Sequence, residues 1–430
     1  SMTIVGDIYT VAERALVQGY IASVWAIASV VGPALGGVFS QFLSWRWIGA
    51  WLHTLPAGLK PQLLRARRQG RTVGLALLVS APDRTLPLFG GQGLWLHATG
   101  RDELDQIAIE HNGLLVDAGE PRAEAAMLAH LCAHMRPWRR LTLPHLGPGG
   151  VALPSRLPAR TMGRSVEAAS WVVDLAAVRG EPSGYLGLLH AKTRYTIRRS
   201  RAAAEALGPI EITVAATLAD AQRAMKDLLR LHALRWRARS GGSSFLAPFT
   251  QRFHAELLPA AFERGEIQLL SVTVGGRPLG HLYSFVQRGR ISFYQSGIDY
   301  EMLGPKMSPG LLVLALAIEH NAALGHASFD LLGGAGHYKK DLATHAETLR
   351  TLVIERSGAR QSLEALLRAR VVPLLQRASG DPRHWRAWLR KWVARTALVL
   401  SLPVLVLAVD GCSESFCDPV IESVNAAFGR

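Results

Sequence analysis

The stretch from Glu266 to Lys340 constrains this chain most. Glu266–Val274, Leu279–Gln287 and Ile291–Ile298 are three β-rich runs, divided by Gly275-Gly276 and Arg288-Gly289-Arg290. Short glycine turns between apolar runs are hairpin signals, so three antiparallel strands are expected in succession. Phe293 and Tyr294 then fall on opposite faces of the third. A loop from Asp299 to Pro309 opens a long apolar helix, Gly310–Leu324, and Gly325 closes it as a left-handed cap. Ser328–Leu332 reads as a last short strand, and Gly333–Lys340 as a glycine-rich loop ending in Tyr338-Lys339-Lys340.

The rest of the chain leads into this stretch. Trp47–Leu55 and Leu59–Arg68 read as helical, Arg71–Val79 and Leu94–Ala98 as strands, and Asp102–Ile109 as a short helix. Leu114–Ala118 is a strand, Pro121–Met135 a helix and Arg140–Leu143 a strand. Strands alternating with helices predict a layered α/β unit over 48–150. Pro and Gly mark Leu146–Arg164 as a linker, placed at 151–167. A second unit over 168–356 begins with strand Ala169–Asp174 and a long basic helix, Pro182–Leu207. Strand Ile210–Ala215, helix Leu218–Arg239, the Ser240–Ser244 loop and helix Pro248–Arg264 follow. Strand Thr348–Glu355 closes it.

Both ends differ from this middle. Tyr20–Trp45 is uncharged, mainly apolar or small, and long enough to span a bilayer. At the other end, Trp385, Trp388 and Trp392 form one helical stripe among Arg383, Arg386, Arg390, Lys391 and Arg395, before an apolar run broken by Pro403. Residues 357–430 are expected to form a basic, partly apolar helical tail, either on an anionic membrane surface or packed on the protein. With 48 basic and 33 acidic residues the chain carries a net charge of +15, which predicts anionic partners: nucleic acid, CoA-type phosphates or an anionic membrane. Three cysteines, Cys132, Cys412 and Cys417, make neither a disulfide framework nor a zinc signature, and no metal is expected. Gly333-Gly334-Ala335-Gly336-His337-Tyr338-Lys339 lacks the Walker spacing, which excludes a P-loop nucleotidase.

Two resemblances follow. Glu13-Arg14-Ala15 with Gly19-Tyr20, Gly32-Pro33-Ala34-Leu35-Gly36-Gly37 and Ser44-Trp45-Arg46-Trp47 resemble the fifth transmembrane helix of major facilitator superfamily drug exporters. One helix cannot build an alternating-access pathway, so residues 1–47 imply a membrane anchor or a segment joined from elsewhere, and not transport. Residues 47–355 resemble the CelD-like group, which is similar to the FemAB-type transferases and carries tandem GNAT-like acyltransferase units. The residues that carry this are Ala191-Lys192-Thr193-Arg194 with Arg198-Arg199, His232 with Trp236, Phe245, and Tyr294 with Gly297-Ile298-Asp299. Ser308-Pro309-Gly310, Phe329-Asp330-Leu331-Leu332 and Tyr338-Lys339 complete them, with Ile109-Glu110-His111-Asn112-Gly113 as the counterpart in the first unit. The usual pyrophosphate signature of GNAT enzymes is absent, and Leu342 stands where relatives often have tryptophan.

That resemblance implies an α/β fold in which two neighbouring strands splay and hold the pantetheine of acyl-CoA, with the pyrophosphate at the following helix. Tyr294, Lys306, Ser308, Gly310 and Leu311 are the expected cofactor-binding residues; Pro309 and Gly310 suit a helix start that grips phosphate. Asp330, His337, Tyr338 and Lys339 are the candidate catalytic residues: Asp330 or His337 as base, Tyr338 as acid to the leaving thiolate, Lys339 as a hold on phosphate or carboxylate. Arg194, Arg198, His232 and Trp236 are candidate substrate-binding residues; Arg194 and Arg198 share a helical face. For Glu110 two readings stand, an acid supplied by the first unit or a structural contact. The implied reaction is transfer from acyl-CoA, such as acetyl-CoA, to an amine or hydroxyl of a polar acceptor, with a cell-envelope glycan as the expected class. Aminoacyl-tRNA as donor and a non-catalytic membrane-bound scaffold are the alternatives. The expected place is the cytoplasm, at the inner face of the cell membrane.

Overall fold

A computed structural model describes residues 45–82, 91–107, 110–134, 138–154, 157, 161–237, 242–334, 336–356, 370 and 421–423. Most of the expected N-terminal helix, the tryptophan-striped tail, Cys412 and Cys417 lie outside these residues.

Helix α1 (Trp45–Thr54) precedes a hairpin of β1 (Pro61–Arg68) and β2 (Arg71–Pro82). Next come β3 (Gln92–Leu96), β4 (Leu115–Val116), α2 (Pro121–His134), β5 (Trp138–Leu146) and β6 (Thr161–Asp174). Then follow α3 (Leu175–Gly180), α4 (Ala191–Glu205), β7 (Ile210–Val214), α5 (Leu218–Arg237) and α6 (Pro248–Phe262). The central stretch is β8 (Ile267–Val274), β9 (Arg277–Gln287), β10 (Arg290–Ile298), α7 (Pro309–Ala323), β11 (Ser328–Asp330) and α8 (His337–Leu342). Last are β12 (His345–Arg356) and β13 (Ile421–Ser423).

These strands make one mixed sheet, in the order β13-β1-β2-β3-β5-β12-β6-β11-β10-β9-β8-β7, with β4 on β2. The fold class is the expected α/β arrangement, built as two halves. Strand β12 joins them: it pairs with β5 of the first half on one edge and with β6 on the other. Both faces of the second half are covered. On β8, Ile267 and Leu269 pack with α1, α5 and α6, while Leu270, Val272 and Val274 pack with α3, α4 and α7. This period of two is what a strand buried on both sides requires. The first of these cores is shared between the halves, since Trp47 of α1 sits edge-on to Phe253 of α6, with ring centroids 5.0 Å apart.

Five local expectations are corrected. Leu59–Arg68 is not helical; its C-terminal part is β1. Gln69 and Gly70 both take left-handed φ, 50° and 80°, and make the tight turn that pairs β1 with β2. Pairing there overrides the helix propensity of its Leu, Ala and Arg residues. Asp102–Ile109 contains only a 3-10 turn, Asp105–Ile107. The expected linker ends early, because β6 starts at Thr161 and pairs along its whole length with β12. The helix expected from Pro182 begins at Ala191, after a 3-10 turn at Tyr185–Leu188 and extended backbone at Leu189 and His190. His337–Leu342 is a short helix, so Tyr338 and Lys339 sit on α8 and not in a loop. Among the described residues no helix is long and apolar enough to cross a membrane.

Candidate active site

Strands β10 and β11 run parallel and pair at only three positions, Arg290↔Ser328, Ile291↔Phe329 and Ser292↔Asp330. There β11 ends, while β10 continues to Ile298, bonded only to β9. The β9 register shifts between Phe293 and Gln295, so Tyr294 is an extra, bulged residue. A bulge bends its strand and sharpens its twist. It lies where β10 leaves β11, and a crevice at the carboxyl ends of parting parallel strands is where α/β sheets bind ligands.

The chain reaches α7 through a tight loop. Asp299 Oδ1 accepts the amides of Glu301 and Met302, both at 3.0 Å. Gly304 and the exposed Lys306 take left-handed φ, 78° and 72°. At the helix start the Ser308 amide donates to Ser200 Oγ of α4 at 2.9 Å, and Pro309 has no N–H. The amides of Gly310 and Leu311 donate to no acceptor among the described residues. A side chain at Gly310 would begin 3.2 Å from Tyr300 Oη, a tight contact that glycine avoids. Unpaired amides at the positive end of a helix favour phosphate. Helix α4 buries Thr193, Ile197, Ser200 and Ala204, and leaves Arg194 half-exposed and Arg198 exposed.

Asp330, at the last paired position, is fully buried. Its Oδ2 accepts from His111 Nε2 at 2.9 Å and from Arg290 at 2.7 Å; its Oδ1 accepts from Ser170 Oγ at 2.9 Å and the Leu332 amide at 2.8 Å. Arg290 also grips Glu347 of β12, at 2.8 and 3.1 Å. Burial alone would raise the Asp330 carboxyl, but the His111 hydrogen bond and the Arg290 charge outweigh it and hold it down at about 2. With no exposed surface and both oxygens occupied, Asp330 braces the last paired position of β11. Arg290, Glu347 and Ser170 were not singled out in the sequence, where Arg290 reads as part of a turn; His111 was, within the Ile109–Gly113 segment, but with no role given to it.

Residues of the first half meet the second just past the end of β11. Glu110 Oε2 accepts the Gly333 amide at 2.6 Å, just past the end of β11. Tyr294 Oη donates to the Ile107 carbonyl at 3.2 Å. Lys339 Nζ donates to the carbonyls of Gly333 and Leu332. Burial lowers its pKa, against the charges of Glu110 and Asp330. Tyr338 is half-buried, and burial, with Tyr300 beside it, pushes its hydroxyl up to about 12. It therefore keeps its proton at neutral pH. His337 is exposed on the same helix.

On the α5–α6 side, His232 Nδ1 lies 2.9 Å from the Ser296 carbonyl, in the part of β10 that has left β11. A carbonyl only accepts, so the proton sits on Nδ1, and Nε2 accepts from Ser243 Oγ at 2.7 Å. Burial lowers the His232 pKa, with the Ser296 bond opposing, which favours this neutral form. Trp236 lies 5.9 Å and Phe245 5.6 Å from the imidazole, centroid to centroid. The structure thus brings His232 and Trp236 together beside β10. Among the described residues no group of side chains could hold a metal ion.

Comparison with known proteins divides the chain. Residues 191–340 match the family model described as acetyltransferase (GNAT) domain. Among solved structures, the C-terminal domain of a putative lysylphosphatidylglycerol synthetase from Agrobacterium fabrum is similar, with a TM-score of 0.47 and 12% identity over 80% of this chain and 96% of that one. FemX gives 0.44 and 11%, over 72% and 91%. A tandem GNAT protein from the clavulanic acid biosynthesis pathway gives 0.40 and 13%, over 77% and 96%. A short segment matches transporters instead: 52% identity over 48 residues to the MFS-type efflux pump LUC4 of Fusarium sp, which is 11% of this chain and 8% of that protein. The multidrug transporter protein MdtP of Bacillus subtilis (strain 168) is 36% identical over 72 residues, 16% of this chain and 13% of that protein. The chain therefore spans about a tenth of these curated relatives.

Proposed function

We propose that this chain, whose residues 191–340 carry the acetyltransferase (GNAT) domain, transfers an acyl group from acyl-CoA to an amine or hydroxyl of a polar acceptor. The observation that carries the reading is the parting of β10 from β11 after three paired positions, beside a helix start with two unpartnered amides. The pantetheine would lie between the strands. Gly310 and Leu311 would hold the pyrophosphate, with Lys306, Arg194 and Arg198 adding positive charge. The Ser308 amide is already engaged by Ser200, in keeping with the missing pyrophosphate signature. Tyr338 would protonate the departing thiolate. His232, Trp236 and Phe245 would line the acceptor side, where a polar glycan of the cell envelope is the class we favour. An acyl-CoA donor places the reaction in the cytoplasm, and the basic tail of the sequence suits the inner face of the membrane.

Acetyl-CoA tests this directly. At a hundred times its Kd it should stabilise the protein by about 2.7 kcal/mol, read as a rise in the thermal midpoint. No shift with acetyl-CoA or a longer acyl-CoA, together with binding of aminoacyl-tRNA, would move the assignment to the tRNA-dependent alternative.

A further inference from the structure

Asp330, the obvious carboxylate of the second half, is spent on holding strands together, which leaves open what removes the acceptor's proton. Among the described residues His254 Nε2 has no partner, but the ring is buried among Phe245, Phe253, Tyr283 and Tyr294, and burial lowers its pKa to about 3. His232 Nε2 is already engaged by Ser243. Glu110 is placed differently. One oxygen is anchored to the Gly333 amide at 2.6 Å. The other, Oε1, has no partner among the described residues and lies 3.2 Å from where a Gly333 side chain would begin, so glycine there leaves it uncovered. The residue is half-buried, and its charge is felt by both Tyr294 and Lys339.

The backbone explains how one segment serves two purposes. In extended chain, neighbouring side chains point to opposite faces. His111 instead has φ 56°, and both its side chain and that of Glu110 reach the β11 end of the second half, at Asp330 and Gly333. Asn112 anchors the turn from behind: its Oδ1 lies 2.7 Å from His97 Nδ1, and its amide donates to the His145 carbonyl at 2.9 Å. A left-handed non-glycine residue is strained, and such strain gathers where a side chain must be aimed.

We propose that Glu110, from the first half, is the catalytic base of the reaction in the second half. This rests on acyl-CoA lying between β10 and β11. The acceptor's N–H or O–H proton passes to Glu110 Oε1 as its lone pair attacks the thioester carbon. The C–S bond then breaks, and the thiolate takes a proton from Tyr338. The products are the acylated acceptor and free CoA, and Glu110 and Tyr338 recover their states by exchange with water.

The test compares wild type with Glu110→Gln, whose side-chain oxygen can still accept from Gly333. Acetyl-CoA is the donor, and water or hydroxylamine the nucleophile; hydroxylamine is unprotonated at neutral pH and needs little help from a base. Glu110→Gln should bind acetyl-CoA as wild type does. CoA release to water should fall on the order of 100-fold, and release to hydroxylamine by less than about threefold. Should Glu110→Gln not fold, Glu110→Asp is read in its place. Unchanged release to water, or an equal loss with both nucleophiles while acetyl-CoA stays bound, would overturn the proposal. Failure of wild type to bind acetyl-CoA would instead remove the crevice reading, and the base with it.

Discussion

Asp330 shows how one side chain sets the geometry around it. It sits on β11 at the last position paired with β10, and its partners come from β10, β6, the turn at His111 and the Leu332 amide. Removing one member of a buried charge pair leaves its partner uncompensated. Asp330→Asn should therefore cost about 3 kcal/mol, seen as a lower urea midpoint with an unchanged slope. The pH dependence follows from the carboxyl being held at about 2 against an ordinary 3.8. A depressed carboxyl contributes stability fully above pH 3.8 and loses it as pH falls through 2. That gap is worth about 2 kcal/mol, so the deficit of Asp330→Asn should shrink by about that much over this window. None of this was legible in the sequence. Asp330 was visible as a polar residue within a short strand, Ser328–Leu332, which fits a base as well as a brace. The choice depends on Arg290, Ser170 and His111, which are brought to it by the topology of the sheet.

Element by element, the sequence was readable wherever one period or one turn decided the outcome. The three hairpin strands, α5, α6 and α7 all lie within a few residues of the expectation. It failed where pairing overrode propensity, as in β1, and where a left-handed residue other than glycine made the turn, as at Gln69. The parting of two neighbouring strands before α7 was implied by the family resemblance; the bulge at Tyr294 was not. Close packing keeps β10 on its course. A side chain at Gly297 would begin 2.2 Å from the Leu228 carbonyl oxygen of α5, and one at Gly280 on the adjacent strand 2.6 Å from Ile298. Backbone cannot yield as a flexible side chain does. Gly297→Ala should destabilise the protein by about 3 kcal/mol, the upper end of ordinary overpacking, and weaken acetyl-CoA binding. A urea titration with and without acetyl-CoA checks both.

Across the whole molecule, the two halves are neither independent nor interchangeable. They share β12, the core between α1 and α6, and the contacts of Glu110 and His111 with the end of β11. From the sequence, Glu110 was open to a role supplied by the first unit or to a structural contact, and its partner could not be named, because residues more than two hundred positions apart meet only in the folded chain. Hydrogen exchange across the full chain, with and without acetyl-CoA, reports on the central claim with least intervening inference. The account predicts slowed exchange at the Gly310 and Leu311 amides and along Phe293–Ile298, with little change in the outer strands of the first half. Unaltered exchange at both places in the presence of bound acetyl-CoA would contradict it.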